Sequence, residues 1–388
     1  MSNTLTLIGL AENIFRARDT VARELVGFIP GCIRNSDAAG VSLGGVVNSF
    51  RTGQPTLNTS WAPSMTLPDG DDQTVNTDTL TISQVANTTI PITGEKWLQL
   101  TNTAGGQAVL DDMFAQAFRR ITNAIEARVG VVAKNGASRA IGTAGTTPFA
   151  ATHNLINSGR QILVDNGCPM DGQVSLVINS TAGTNLRNLT QLTKVNEAGS
   201  TDPIRQGTLL DISGIMVKES AGVASHTKGT AASVTTNNAG YAVGATALTL
   251  ASAGTGTLLA GDCVTFAGDA NIYVANSGDA DVSDGGILTL NRPGLQMAMS
   301  AATKAITVGA SYAGNVMFHK TAIELVMRPP AMPPGGDAAV DRMTVFDDVS
   351  GLVFEIALYK GKGMAVYDIT TFYEAKVWKP EFVATLLG

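Results

Sequence analysis

Residues 107–136, QAVLDDMFAQAFRRITNAIEARVGVVAKNG, constrain the fold more than any other part of the sequence. Their apolar side chains recur every three or four residues, which keeps them in one stripe along a helix for about six turns. The stripe consists of Leu110, Phe114, Phe118, Ile121, Ile125, Val129 and Val132. Asp111 and Asp112 near the start and Lys134 near the end suit the helix dipole, and Asn135-Gly136 favours a stop. The sequence therefore predicts a helix about 40 Å long that supports the surrounding structure.

The composition is that of a folded chain with few charges. Of its 388 residues, 44% are hydrophobic and 15% are charged. This length allows two or three domains, because single cores rarely grow beyond ~250–300 residues. The charged fraction lies below the ~25% of an average soluble domain, so either neighbouring subunits cover part of the surface or Ser, Thr, Asn and Gly supply its polarity. A net charge of −6 argues against a protein that grips many phosphates of a nucleic acid.

The motifs of catalysis and cofactor binding are missing from the sequence. His153, His226 and His319 have no metal-ligand spacing, and no glycine-rich segment has a phosphate-binding pattern. Cys32, Cys168 and Cys263 lie far apart, without a CxxC pair, and are expected to be buried free thiols. We therefore predict no catalytic residue, no cofactor, no metal site and no enzymatic activity.

One acidic segment raises the alternative of a calcium site. Asp279, Asp281 and Asp284 lie close together, but the following glycine comes one place too late for an EF-hand loop and Leu290 stands where the loop needs Glu. A solvated turn between strands is the favoured interpretation, with calcium as the alternative. The pairs Asp71-Asp72 and Asp347-Asp348 also lie in turn-like sequence, where Asp is common.

The aromatic residues near the C-terminus allow two interpretations. They alternate with Lys and Glu, as they do in some nucleic-acid platforms, but their strand spacing favours packing between neighbouring strands. These residues are Tyr359, Tyr367, Phe372, Tyr373 and Trp378.

The first hundred residues contain two segments that need a partner. Leu10, Ile14, Val21 and Leu25 recur at helical spacing and predict an amphipathic helix, and no signal peptide or membrane-spanning run is seen. Residues 49–100 are rich in Thr and alternate in hydrophobicity, with turns marked by proline, which predicts a long extended hairpin. A two-stranded ribbon is only marginally stable alone in water.

The remainder of the chain changes texture twice. Residues 152–220 alternate helix-like and strand-like segments, which predicts a compact α/β or α+β unit. From about 224 to 305, short strands between turn clusters predict a small barrel or sandwich, including GTLLAGDCVTFAGDANIYVAN. Helix and strand patterns return after 305, and the last segment predicts an antiparallel sheet. This order indicates a β domain inserted into another domain.

The order of these segments resembles the major capsid (coat) proteins of tailed bacteriophages, and in particular those of the Salmonella podophage group, which carry an inserted β-barrel. GNVMFHKTAIELVMRP resembles the segment after the central domain of these proteins, and SGIMVKES resembles the strand before the insertion. EAKVWKPEFVATLLG resembles their closing strand, and AGDCVTFAG with LTLNRPG resembles the core of the insert.

This resemblance implies an α+β fold with axial and peripheral domains, a long spine helix, an extended loop and an inserted small β-barrel. The implied segments are an N-terminal arm (1–48), the extended loop (49–100), a peripheral domain (101–149) with the spine helix at about 107–134, a first axial segment (150–223), the insert (224–305), and a second axial segment together with peripheral strands (306–388).

The resemblance also implies a function and partners. The chain is expected to form hexamers and pentamers of an icosahedral shell that matures around double-stranded DNA, which it contacts without sequence specificity. A scaffolding protein, a portal protein and in some shells a decoration protein are the implied partners, no membrane is involved, and assembly takes place in the host cytoplasm. The alternatives are an encapsulin-like compartment shell and a β-rich carbohydrate-binding or adhesin module.

Overall fold

The computed structural model describes residues 27–37, 39–52, 62–66, 75–102, 106–194, 211–346 and 351–388. The helix predicted between Leu10 and Leu25 lies outside these residues, as do Asp71-Asp72 and Asp347-Asp348. The helices of the described residues are Gly94–Asn102 (α1), Gly106–Asn135 (α2), Asn154–Asp165 (α3), Ser180–Asn188 (α4) and Thr190–Thr193 (α5). The strands are Ile33–Ser36 (β1), Val46–Thr52 (β2), Val75–Thr81 (β3), Gln84–Thr93 (β4), Arg139–Ile141 (β5), Val174–Ile178 (β6), Met216–Glu219 (β7), Ser225–His226 (β8), Ala247–Leu250 (β9), Cys263–Phe266 (β10), Ile272–Ser277 (β11), Gly286–Leu290 (β12), Ile306–Val308 (β13), Tyr312–His319 (β14), Ile323–Arg328 (β15), Ala339–Phe346 (β16), Val353–Gly361 (β17), Met364–Val377 (β18) and Val383–Leu387 (β19).

The long helix α2 begins and ends within a residue or two of its predicted bounds. Its apolar stripe faces the protein interior, where Ile121, Ile125 and Val129 are buried. Phe114 and Phe118 contact Tyr367 of β18 and Phe354 of β17, with ring centroids 5.1 Å apart in both pairs. Such edge-to-face pairs add to the stabilisation that apolar burial provides. The stripe therefore fixes α2 across the sheet formed by the C-terminal strands.

That sheet has six strands within the described residues. Its order is β1-β15-β18-β17-β16, and β4 pairs with β18 over ten residues. Residues 49–100 are therefore not one extended hairpin: β4 belongs to this sheet, because Ala86, Ile90 and Ile92 alternate into the core. A helix, α1, follows it. The extended portion is the two-stranded ribbon of β2 and β3.

A second sheet contains eleven of the described strands. Its main path is β13-β10-β11-β5-β19-β14-β6-β7, and β8, β9 and β12 attach to members of that path or to each other. Helices α3 and α4 form where helices are predicted, and Ile156, Leu163 and Leu186 pack with the fully buried strand β6. The α/β character predicted for residues 152–220 is therefore present in the described residues of that segment.

Residues 229–308, called the β region below, have a core of their own. This core includes Val234, Leu248, Phe266, Tyr273 and Leu288. The region extends beyond the predicted end at 305, because β13 pairs with β10 and Ile306 packs into the same core. Its sheet continues into the rest of the protein, since Ile272 and Tyr273 of β11 pair with Ala140 and Arg139 of β5. The β region is thus joined by strand pairing as well as by its chain ends.

Candidate functional site: two buried polar anchors and an exposed ribbon

The first anchor, called the arm anchor, is centred on Glu126 of α2. This side chain is fully buried. Its Oε1 accepts hydrogen bonds from the Phe28 amide (2.7 Å) and the Ser220 hydroxyl (3.1 Å), and its Oε2 accepts one from the Ile29 amide (2.9 Å). Hydrogen bonds to an ionised acceptor are stronger than those between neutral groups. Glu126 therefore holds the first described residues of the chain against the middle of the long helix.

Close packing around the arm anchor depends on glycine at position 130, which has no side chain. A Cβ atom on Gly130, one turn after Glu126, would lie 2.9 Å from the Gly222 carbonyl oxygen and 3.0 Å from the Phe28 ring. Phe28 in turn stacks on Phe318 of β14, with centroids 6.0 Å apart and ring planes 13° apart. The glycine therefore lets the chain approach α2 closely enough for its amides to reach the carboxylate.

The buried position of Glu126 affects its ionisation. Burial raises the pKa of the Glu126 carboxyl above its usual value, although the hydrogen bonds from Phe28, Ile29 and Ser220 act in the opposite direction. The hydrogen-bond donors thus stabilise the ionised form of Glu126, whereas its burial favours the protonated form. We expect this contact to depend on pH.

The second anchor, called the insert anchor, joins the end of α2 to the β region. Lys134 Nζ lies 3.0 Å from His226 Nδ1, and His226 Nε2 lies 2.8 Å from Asp262 Oδ1. All three side chains are buried. An ammonium group has only donors, so His226 Nδ1 must accept from Lys134 while its Nε2–H donates to Asp262. The three residues therefore form a chain of hydrogen bonds from Lys134 through His226 to Asp262.

Backbone donors complete the insert anchor. Asp262 also accepts hydrogen bonds from the amides of Leu259 (2.8 Å) and Gly229 (3.0 Å). Burial alone would raise the pKa of Asp262, but the hydrogen bonds from His226 and these two amides outweigh it and hold the pKa below its usual value. Burial lowers the pKa of Lys134 to about 8, against the attraction of Cys263 and Asp262. Lys134 Nζ also donates a hydrogen bond to Asn135 Oδ1 (2.7 Å), so both ends of the chain of hydrogen bonds have further partners.

The ribbon of β2 and β3 presents one face to the protein and the other to solvent. On the inner face Leu80 is buried with Ile82 and Val326, and Val47 packs against them. On the outer face Phe50 is 74% exposed, Val75 54% and Val46 53%. The strand register places exposed threonines on the same outer face, at 77, 79 and 81. The outer face is therefore uncharged in its described side chains and exposes three large apolar ones among Asn48 and the threonines.

An apolar groove lies between α2 and β4. It has a volume of about 410 Å³. Apolar side chains dominate its lining: Ile90, Pro91, Val109, Met113 and Ala117. Asp112, Gln116 and Arg120 also line it, whereas no described residue of the ribbon does. The protein thus has an apolar groove and, elsewhere, an exposed row of apolar side chains on the ribbon, Val46, Phe50 and Val75, which we call the ridge.

The residues that the sequence analysis considered for chemistry are placed apart. His153 contacts Gln191 on the surface, and His319 contacts Asp171 and Thr321. The three cysteines are buried and free, as predicted. Within the described ranges, no group of three or more His, Cys, Asp or Glu side chains is placed to hold a metal ion.

The acidic segment and the C-terminal aromatics have local structural roles. Asp281 accepts hydrogen bonds from the backbone amide and hydroxyl of Ser283, and its own amide donates to Asp279, as in a turn between strands. Tyr359, Tyr367, Phe372 and Tyr373 lie in β17 and β18, and Trp378 follows β18 and donates its indole N–H to Glu324. None of the helices among the described residues combines the length and apolarity needed to cross a bilayer.

Sequence reasoning missed the roles of both anchors. Lys134 was assigned to the helix dipole, and Glu126 and Asp262 were not singled out. A signal was present for Glu126, because it directly follows Ile125 and precedes Val129 by one turn, so it borders the buried stripe. No comparable signal marks Asp262, whose partners lie on other elements.

Comparisons with known proteins give structural matches only. No family model matches the sequence, and no curated protein matches it. Among solved structures, the chain is similar to the capsid of cyanophage P-SCSP1u, with 14% identity, a TM-score of 0.48, and coverage of 95% of this chain and 89% of that chain. The mature capsid of bacteriophage PhiM1 is 11% identical, with a TM-score of 0.47, and the match covers 94% of this chain and 88% of that chain. The structure of Mycobacterium phage Che8 is 12% identical, with a TM-score of 0.47, and the match covers 88% of this chain and 84% of that chain. Two of these three structures are described as phage capsids.

Proposed function

We propose that the protein is the major capsid subunit of a tailed double-stranded DNA phage, assembling as hexamers and pentamers into an icosahedral shell. The observation that carries this proposal is the outer face of the ribbon, where Phe50, Val46 and Val75 are more than half exposed on a two-stranded sheet. A ribbon of this kind is marginal alone and needs a third layer or strand. A neighbouring copy supplies it in a shell.

The apolar groove between α2 and β4 is the surface we assign to that neighbour's ribbon. Ridge and groove are different surfaces of one chain, so their contact is heterologous. Heterologous contacts repeat head to tail and close into rings when the rotation between copies permits. A ridge and a groove on one chain thus favour ring-shaped capsomers over a simple dimer.

The segments of the chain take their roles from this proposal. In this proposal α2 and the six-stranded sheet form the peripheral domain, and the described residues of 150–223 form the axial domain together with β5, β14 and β19 of the second sheet. The β region is the inserted barrel, which extends to Val308 rather than 305. Its separate core supports a unit added to a pre-existing domain.

The proposed role is structural rather than enzymatic. With a net charge of −6, the inner wall would bind packaged DNA only weakly, because strong phosphate binding needs a basic surface. Scaffolding, portal and decoration proteins are the partners that such a shell requires or accepts, and assembly in the host cytoplasm follows from the same proposal.

Negative-stain electron microscopy tests the function directly. The purified chain, alone and coexpressed with a candidate scaffolding protein, is expected to form uniform closed shells. Persistent monomers under all these conditions would contradict the proposal.

Two complementary variants test the ridge and the groove. Phe50→Asp introduces a charge into the ridge, and Met113→Asp introduces one into the groove. Neither variant alone should therefore assemble. Mixed together, they retain one intact ridge and one intact groove, which predicts a dimer in sedimentation velocity but no ring. Ile287→Asp, at a strand position 55% exposed in the β region, is the matched control and should still assemble. Normal shells from Phe50→Asp would refute the assignment of the ridge.

A further inference from the structure

A cleft of about 510 Å³ lies where four parts of the protein meet. Its lining comes from the second half of α2, from β3 of the ribbon, from the end of β18, and from β12 and the turn that follows it in the β region. Sites that hold small ligands have volumes of this size. None of the described residues lines both this cleft and the apolar groove between α2 and β4.

Three cationic side chains line the cleft, and each comes from a different element. Arg128 lies on α2, Lys376 on β18, and Arg292 in the turn after β12. All three are partly buried. Partial burial lowers the effective dielectric constant around a charge, so these cations attract an anion more strongly than they would on an open surface. Asp78 is the one carboxylate among the described lining residues.

The three cations lie near one another around Trp378. Arg292 Nη2 donates a hydrogen bond to the Trp378 carbonyl oxygen at 2.9 Å, and Lys376 Nζ lies 4.6 Å from the centre of the Trp378 ring. Arg128 is bound by Glu374 of β18. Glu374 comes two residues before Lys376 and therefore lies on the same face of the strand. The donors thus approach one part of the cleft from three directions.

Two of these positive charges have neutral partners among the described residues. Lys376 Nζ donates to the Thr79 carbonyl oxygen, and Arg292 donates to that of Trp378. Arg128 differs, because the Glu374 carboxylate binds its Nε and Nη2. A cation that has lost part of its water is stabilised by a paired anion. The fold therefore gathers unmatched positive charge in this cleft, although the chain has a net charge of −6.

We propose that this cleft binds phosphate. Free phosphate and phosphate monoesters carry a charge of about −1.5 to −2 at pH 7 and have three or more acceptor oxygens. Two unmatched cations and a third on another element suit such a group. A single carboxylate has one charge and two oxygens in a plane, and it is best bound by one guanidinium group.

A phosphate bound here contacts α2, β18 and the β region at once, so it stabilises their relative positions. The site goes beyond the proposed function and is independent of it, because all of its described lining residues belong to one copy. Two sources can supply the group. Free phosphate carries both charges on one group, whereas the backbone of DNA supplies them as two neighbouring phosphates.

Tryptophan fluorescence of the unassembled full chain tests the site. The double variant Trp61→Phe/Trp97→Phe leaves Trp378 as the one tryptophan, beside Lys376. Titration of this parent with inorganic phosphate at low ionic strength should give a saturable change in emission. Adding Lys376→Gln or Arg292→Gln should weaken binding about tenfold or more, since hydrogen bonds to charged groups are strong.

Lys362→Gln is the matched control. It removes an exposed lysine from the turn between β17 and β18, outside the cleft, and should leave the phosphate affinity unchanged. Succinate has a similar charge but carries it on two carboxylates, so it should bind about tenfold more weakly. Equal affinity for succinate and phosphate, or equal affinity in Lys376→Gln, Arg292→Gln and their parent, would overturn the inference.

Thermal unfolding of the wild-type chain gives a second measurement that needs no folded variant. Phosphate should raise the midpoint of unfolding, and succinate at the same concentration and ionic strength should raise it less. The absence of both this shift and the fluorescence change would overturn the inference.

A short DNA duplex without terminal phosphates separates the two sources. If it competes with inorganic phosphate and binds Lys376→Gln more weakly, the site takes the DNA backbone. If it does not compete, the site takes free phosphate groups. Both results support a phosphate site. Because the chain is unassembled, failure to bind phosphate leaves the shell proposal intact, and binding without shells in micrographs refutes only the shell proposal.

Discussion

The side chains of the two buried anchors have their partners within one chain, whereas, among the described residues, the outer side chains of the exposed ribbon do not. In the arm anchor, one carboxylate accepts hydrogen bonds from residues nearly a hundred positions away in the sequence, all within one chain. In the ribbon, Phe50 and its neighbours remain uncovered by any described residue of the same chain. The first region is complete within one copy, whereas under the proposed function the second is completed by a neighbouring copy. Changes in the anchors should therefore affect folding, and changes in the ribbon should affect assembly.

The largest expected effect comes from comparing two phenylalanines in strands. Phe318 is fully buried and stacks on Phe28, so Phe318→Ala should lower the free energy of unfolding by about 3–5 kcal/mol. Phe50 is exposed, so Phe50→Ala should change it by less than about 0.5 kcal/mol in the unassembled chain. Urea denaturation of unassembled protein measures both values. Similar losses for both variants would mean that the ribbon belongs to the folded core as much as β14 does.

A smaller loss is expected at the arm anchor. Glu126→Ala leaves the buried amides of Phe28 and Ile29 without their acceptor, which should cost about 2–4 kcal/mol, since each unsatisfied group costs about 1–3 kcal/mol. Glu95→Ala, at an exposed position in the first turn of α1, is the control and should be nearly neutral. A change below about 0.5 kcal/mol for Glu126→Ala would show that the anchor contributes nothing to stability.

The smallest effect is a difference in pH dependence between the two anchors. Because the folded pKa of Glu126 is raised, its contribution is fully present below the ordinary value of 4.5 and is lost as the pH rises through the folded pKa. Glu126→Gln should remove this loss. Because the folded pKa of Asp262 is lowered, its contribution is present above 3.8 and is lost as the pH falls through the folded pKa. The stability deficit of Asp262→Asn should therefore shrink in acid.

Unfolding free energies of the three proteins between pH 3 and pH 7 measure this difference. The two variants are expected to depart from the wild type in opposite directions along the pH axis. If both deficits change with pH in the same direction, the contrast drawn between the two carboxylates is wrong.

Regular patterns made much of the fold predictable. The stripe of α2 spans enough turns for its periodicity to outweigh local exceptions, and the short strands of the β region are separated by clear turn residues. The helix α1 was missed inside the predicted hairpin because it has only nine residues, although Glu95 near its start and the spacing of Trp97 and Leu100 favour a helix.

Long-range placement could not be predicted in the same way. The partners of Glu126 and Asp262 lie on elements far away in the sequence, and only the sheet topology brings them together. The exposure of β16 depends on its place at the edge of a sheet, and its alternation does not reveal that place. The contact of His226 with Lys134 was not foreseen either.

If the protein forms the proposed shell, the pairing of β11 with β5 limits how that shell can change shape. Because Ile272 and Tyr273 share backbone hydrogen bonds with Ala140 and Arg139, the β region has no free hinge at this point. Force applied to it passes directly through β5 to β19, and so into the second sheet. If shell maturation moves this region, the movement must take the form of bending in a continuous sheet. In mechanical terms the β region is fixed at β5 to the second sheet, and the stiffness of that sheet sets how far the β region can bend.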